Sequence, residues 1–246
     1  MSSTAKSFLT KLKDLNDANT VSIKVPSLDK KVEFKLPSIK QQKDLLRTTF
    51  DGVDGIITRT AAANQIILDN AIGEKEFLII DKPAIFIALR TAAIGSNITI
   101  KKEKYDLKKV KPIKLADIEF TKSVEHDGIT VELKVPTLAV DTEVSKKLAK
   151  EFAKFDNIDD KLKQSIDTVV AFESIKYIES ISVGEDIVTF KDISVHERNE
   201  IVNQLPIALN HKIVDYIGGI KEVTDKAMTV AEEVVVEIDA SFLSSD

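Results

Sequence analysis

The feature that most constrains this chain is a short pattern that it contains twice. Val32, Phe34 and Leu36 alternate with Glu33 and Lys35, and Pro37-Ser38 follows. Val131, Leu133 and Val135 alternate with Glu132 and Lys134, and Pro136-Thr137 follows. Alternation is the period of a strand with one face buried. Proline cannot donate to a sheet ladder, so each strand should end there. Ser38 is then placed to cap a helix by accepting a bond from an unpaired N–H of its first turn. The repeated pattern predicts an α+β fold of two strand–Pro–helix halves, with antiparallel hairpins packed against helical bundles. Neither copy carries a residue that does chemistry.

The rest of the chain can be read around these two copies. Residues 1–20 form a flexible or helical arm, with Phe8, Leu12 and Leu15 at helical spacing. Residues 21–115 form one α+β half and 116–246 the other, as two units or one continuous domain. Val21–Val25 pairs with the first patterned strand. A helix runs from about Ser38 to Phe50, burying Leu45, Leu46 and Phe50, and DGVDG at 51–55 is a loop. A second helix spans Thr58–Ala71 and stops at Gly73. A third opens at Asp81 as N-cap, buries Ile85, Leu89 and Ala92, and stops at Gly95. Ile98 and Ile100 begin a strand, and the lysine-rich stretch 101–114 reads as a solvated linker or a lysine-protected edge. Asp117–Val124 and Ile129–Val135 form a hairpin about Asp127-Gly128, a dipeptide suited to a tight turn. Helices are expected over Val140–Phe155 and again from Asp159 or Asp160 through Val170. Residues 172–183 alternate as a strand, which returns as Ile187–Phe190. Ser194 and Glu197 make a capping box, Pro206 kinks or restarts the helix, and Gly218-Gly219 ends it. Val234–Ile238 is a last strand, and Phe242-Leu243 an apolar plug.

Composition removes several kinds of chemistry. There is no cysteine, so thiolate metal sites, disulfides and cysteine nucleophiles are excluded. No apolar run approaches the roughly 20 residues that span a bilayer. MSSTAKSFLTKLKDLND lacks the apolar core of a secretion signal, so a product made in the cytosol is expected. His126, His196 and His211 show no i, i+4 pairing, and no phosphate-binding glycine loop or GxSxG motif occurs. The acidic pairs Asp159-Asp160 and Glu185-Asp186 are explained by capping and turn formation. The chain therefore reads as non-catalytic, with no cofactor, metal, small-molecule substrate, nucleic acid or membrane partner expected. Charge is divided along it. Residues 1–150 carry 26 Lys and Arg against 20 Asp and Glu, whereas residues 151–246 carry 9 against 20. Such a division can orient a subunit against its neighbours.

The order VEFKLPSIKQQKDLL, DKPAIFIALRTAAIG, ISVHERNEIVNQLPIALNHKIVDYI, VVVEIDASFL resembles the baseplate hub proteins of T-even-type contractile-tailed bacteriophages. The resemblance rests on Leu36-Pro37-Ser38, on Leu89-Arg90 with Gly95, and on Val234–Ile238 with Phe242. It implies a structural or assembly component of a virion tail baseplate, working through contacts with other baseplate and tail proteins. The alternatives are an assembly chaperone or adaptor absent from the finished virion, and an enzyme whose site is assembled from residues distant in sequence. The contact candidates are Val234, Val236 and Ile238, as a strand edge pairing with a neighbour's sheet, with Phe242 and Leu243 as anchors in a neighbour's pocket or as cover for this chain's own core.

Overall fold

The computed structural model describes residues 2–48, 53–152, 172–231, 234–239 and 242–244. The α+β expectation holds. After helix α1 (Ser3–Ala18), strands β1 (Thr20–Val25) and β2 (Lys30–Lys35) form an antiparallel hairpin. Ile23, Val25, Val32 and Phe34 fill its buried face, as alternation requires. Ser38 caps α2 (Ile39–Arg47) in a reciprocal box. Its Oγ accepts the Gln41 N–H at 3.3 Å, and Gln41 Oε1 accepts the Ser38 N–H at 2.9 Å. The second copy builds the same unit. Strands β5 (Thr121–His126) and β6 (Ile129–Lys134) pair about Asp127 and Gly128, which take positive φ of 48° and 77°. Helix α5 (Leu138–Phe152) follows Pro136-Thr137.

Two corrections fall between the copies. Helix α3 (Val53–Asn70) begins inside the predicted DGVDG loop. A glycine in a helix costs only about 1 kcal/mol, and Ile57 gains packing against the second core. Of the two readings of the lysine-rich stretch, the strand edge holds and the linker does not: β3 (Asn97–Ile100) and β4 (Glu103–Asp106) form a hairpin there. Lys101 and Lys102 turn it with φ of 50° and 73°, and a 3-10 turn at Leu107–Lys109 buries Leu107. Asp81 precedes α4 (Lys82–Ile94) but does not cap it with its side chain. Its carboxylate accepts the Ser27 N–H at 2.8 Å, the Ser27 hydroxyl at 2.6 Å and the Leu78 N–H at 2.8 Å. The demand of a hairpin turn 54 residues away takes precedence over local capping.

The internal repeat extends further than the sequence pattern. Strands β7 (Ile178–Val183) and β8 (Asp186–Thr189) form a hairpin followed by a 3-10 turn at Phe190–Asp192 that buries Phe190. This is the arrangement of β3, β4 and Leu107. In the second half the two hairpins join through β6 and β7 into one sheet of order β5-β6-β7-β8. In the first half they stay apart. There the outer edge of β2 receives a bridge from Ala71 to Phe34 and the Ile72 N–H on the Glu33 carbonyl. Residues 172–175 are helical, so the strand predicted over 172–183 begins later.

Two hydrophobic clusters result. One gathers Phe34, Leu45, Ile67, Phe77 and Phe86 in the first half. The other gathers Val131, Leu133, Tyr177, Ile181 and Ile213 in the second. Leu46, Ala92 and Ile94, expected inside or at a helix end, are exposed. Helices α6 (Val195–Asn203, capped by Ser194 and Glu197) and α7 (Ile207–Lys226) cover the second core. Strands β9 (Thr229–Ala231) and β10 (Val234–Val235) then lead the chain back to the first, so the predicted last strand is shorter than Val234–Ile238. The expected helix through Leu162 and Val170, and Phe50, lie outside the described residues.

Gly218-Gly219 does not end α7, which continues to Lys226. Ile217 and Ile220 are buried on either side of the pair. Each contributes about 1.5–3 kcal/mol, which exceeds the cost of two helical glycines. A Cβ at either glycine would meet nothing within 4 Å. Gly218→Ala and Gly219→Ala should therefore each stabilise the protein by up to about 1 kcal/mol in urea unfolding; destabilisation would contradict the continuous helix.

Candidate interaction site

The structure places the predicted contact residues on both sides of one segment. Val236, Phe242 and Leu243 are buried in this chain's first core, Phe242 completely at 0% exposure. Val234 and Ile238 are partly buried. Phe242 meets Phe86 edge to face at 5.9 Å. Arg90 secures the segment. Buried on α4, it donates to the carbonyls of Phe242 at 2.8 Å and Ser244 at 3.0 Å, and also to that of Asn97. Its guanidinium lies 5.8 Å from the centre of the Phe242 ring. Gln42 adds a bond to the Leu243 carbonyl at 2.8 Å. Periodicity gave no sign of this clamp, because its partners lie 152 residues apart.

Above these anchors runs a groove of about 690 Å³. Ile98, Ile100 and Tyr105 form one wall, and Val234, Val235 and Val236 the other. Lys101, Glu103, Glu237 and Asp239 also line it. Glu237 is held by Arg59 at 3.4 Å. The groove thus contains two of the predicted residues, while the buried aromatic beneath fixes the wall they stand on.

Two further apolar surfaces are open. Helix α1 shows Phe8, Leu9, Leu12 and Leu15 to solvent, Leu15 at 68% exposure. Its end is tied down by Asp17 on Lys35 at 2.7 Å and by the Leu36 N–H on the Asn19 carbonyl. On the β7–β8 hairpin, Ile187 is 68% exposed on one face, and Val183 and Val188 are exposed on the other. Sequence alternation pointed to the first surface but not the second, since a strand's free edge is set by the sheet.

The titratable residues converge at the joint between the halves rather than at the groove. Asp141 of α5 receives Lys176 at 2.8 Å, Lys82 at 3.3 Å and the Asn64 amide at 2.7 Å. Lys176 also meets Glu173 at 2.7 Å. Burial pushes the Asp141 carboxyl up, but Lys82 and Lys176 outweigh it and hold the group well below the usual carboxylate range. Burial draws Lys82 down against Asp141. Burial also opposes the Lys176 charge, yet Glu173 and Asp141 carry its pKa above normal. Each charge faces an opposite one, as a buried joint requires. His126 meets its neighbour Asp127 at 3.3 Å, and His196 meets Glu200 at 3.3 Å, both near the surface. Among the described residues no His, Asp and Glu cluster is arranged to hold a metal ion, and no helix is long and apolar enough to cross a membrane.

The depressed Asp141 pKa stabilises the fold at pH values above the ordinary 3.8, and this contribution is lost as pH falls below that value. Asp141→Asn should cost about 3–5 kcal/mol at neutral pH, because it leaves two buried lysines short of a partner. The gap to the native chain should narrow below pH 3.8 in urea unfolding. Arg90→Ala should cost about 2–4 kcal/mol and expose Phe242 to chymotrypsin while the rest of the chain resists.

A protein-family model described as T4 bacteriophage base plate protein matches residues 18–232. That span leaves out nearly all of α1 and the whole segment after β9. No curated protein and no solved structure matches the chain. The match covers most of the sequence and agrees with the α+β architecture, so this chain belongs to the T4 bacteriophage base plate protein family.

Proposed function

We propose that this protein is a non-catalytic structural component of the central hub of a phage tail baseplate, assembled in the host cytoplasm and working by contact with other baseplate and tail proteins. The family match over residues 18–232 carries the reading. The distribution of surface supports it. The buried charges neutralise one another at a joint, and apolar residues remain open at α1 and along the groove. In this reading Val234 and Val236 stand in the contact wall, and the partly buried Ile238 belongs to the same contact segment. Phe242 and Leu243 support that wall from beneath. The neighbour offers an apolar segment to the groove, with its charged groups at the rim.

Mass spectrometry of purified virions tests the structural role. The chain should be present in fixed stoichiometry with other baseplate proteins. Its absence from finished particles would instead make it an assembly factor that leaves. Val235→Glu, at an exposed position on the groove wall, should leave thermal unfolding unchanged but reduce incorporation into baseplates by tenfold or more, on the order of 1.4 kcal/mol of contact energy. Normal incorporation of that variant would remove the groove from the contact surface.

A further inference from the structure

The two outer edges of the four-stranded sheet are treated differently. Strand β5 packs under α7. Lys212 of α7 reaches the Glu125 carbonyl at 2.6 Å, and Tyr216 donates to the Phe120 carbonyl at 3.0 Å just before the strand. Among the described residues no helix bonds over strand β8 in this way. Its four residues are Asp186, Ile187, Val188 and Thr189, with no lysine, no proline and no bulge. Those are among the means by which an edge avoids pairing with another chain; β8 has only its shortness and Asp186 at its start.

Ladder geometry says which groups the edge offers. The turn at Gly184 and Glu185 closes on the pair Val183 and Asp186. Hydrogen-bonded and non-bonded pairs alternate from there. Asp186 and Val188 therefore bond inward to β7, and Ile187 and Thr189 direct their main-chain groups outward. Among the described residues, no main-chain bond joins Ile187 or the Thr189 N–H to another element. The Thr189 carbonyl begins the 3-10 turn that follows, which leaves its N–H as the open donor.

We propose that β8 pairs antiparallel with β8 of a second copy, about a two-fold axis at Val188. The strand is complementary to itself in this register. Each Thr189 N–H meets the Ile187 carbonyl of the other copy, Val188 faces Val188, and the two Asp186 carboxylates stand apart, each opposite Phe190. A register centred on Ile187 leaves the Thr189 donor unmet and sets Asp186 against Val188. The pairing sets Ile187 beside Thr189 on one face and Val188 beside its own mate on the other, and joins two four-stranded sheets into one. The interface is isologous, as a two-fold requires. The contact is small, so the dimer dissociates in roughly the micromolar range. The inference rests on sheet geometry and does not depend on the hub reading.

The absence of cysteine makes the test direct. Val188 and its symmetry mate form a non-hydrogen-bonded pair with Cα atoms about 4.5 Å apart, inside the range that a disulfide spans. Purified Val188→Cys should cross-link under mild oxidation to twice the 27.2 kDa chain mass. Ile187→Cys, offset from its own mate, should not. Adding Thr189→Pro, which removes only an outward N–H, should reduce the Val188→Cys product at least tenfold with thermal unfolding unchanged. Ile187→Lys provides a second edge variant should the proline disturb the turn. The unmodified chain should show a concentration-dependent dimer in sedimentation. A monomer throughout, a Val188→Cys product insensitive to both edge variants, or equal cross-linking of Ile187→Cys would overturn the proposal. None of these measurements involves phage particles, so their failure leaves the baseplate assignment untouched.

Discussion

Where the chain passes from its first half to its second, main-chain bonds and buried charge act together. The Leu138 N–H donates to the Phe77 carbonyl, and the Ile79 N–H to that of Pro136, so the segment that leads into α4 is paired with the start of α5. Asp141 stands one turn into α5 and draws Lys82 and Lys176 onto itself. Lys82 begins α4, and Asn64 reaches the same carboxylate from α3. A buried charge without its partner is costly, so these elements are held in one arrangement. The two cores on either side inherit their positions from this joint.

The two halves show what happens when one pattern is placed in two settings. Each has a hairpin, a proline, a helix and later a second hairpin ending in a 3-10 turn. In the second half the returning strand β7 joins β6, and the sheet has four strands. In the first, Ala71 and Ile72 occupy part of the β2 edge, and the β3–β4 hairpin stands apart. The groove beside β3 is the consequence, because the second hairpin is placed next to the returning tail rather than next to β2.

Arg90 links the deepest part of the first core to its surface. It crosses from α4 to the carbonyls of Phe242 and Ser244, under the wall that carries Val234 and Val236. A guanidinium can do this because its fan of donors satisfies several carbonyls at once. The tail is thereby held as part of the first core, although it comes last in the chain.

Local rules made much of this legible in advance. Alternation located β1, β2 and β6, the prolines marked their ends, Asp127-Gly128 marked the turn between β5 and β6, and the boxes at Ser38 and Ser194 marked two helix starts. Those signals act within a few residues, so no distant partner is needed to read them. The decisions that failed were all set by distant contacts. Asp81 serves Ser27 instead of its own helix, α7 runs through Gly218-Gly219 because Ile217 and Ile220 have a core to enter, and Leu46 and Ala92 face outward. For the contact residues, the sequence determined that Val234, Val236, Phe242 and Leu243 are apolar and closely spaced. Only the tertiary structure decided that the aromatic is held inside by Arg90 while the valines line an open groove, because burial depends on which surface, far away in the chain, lies opposite.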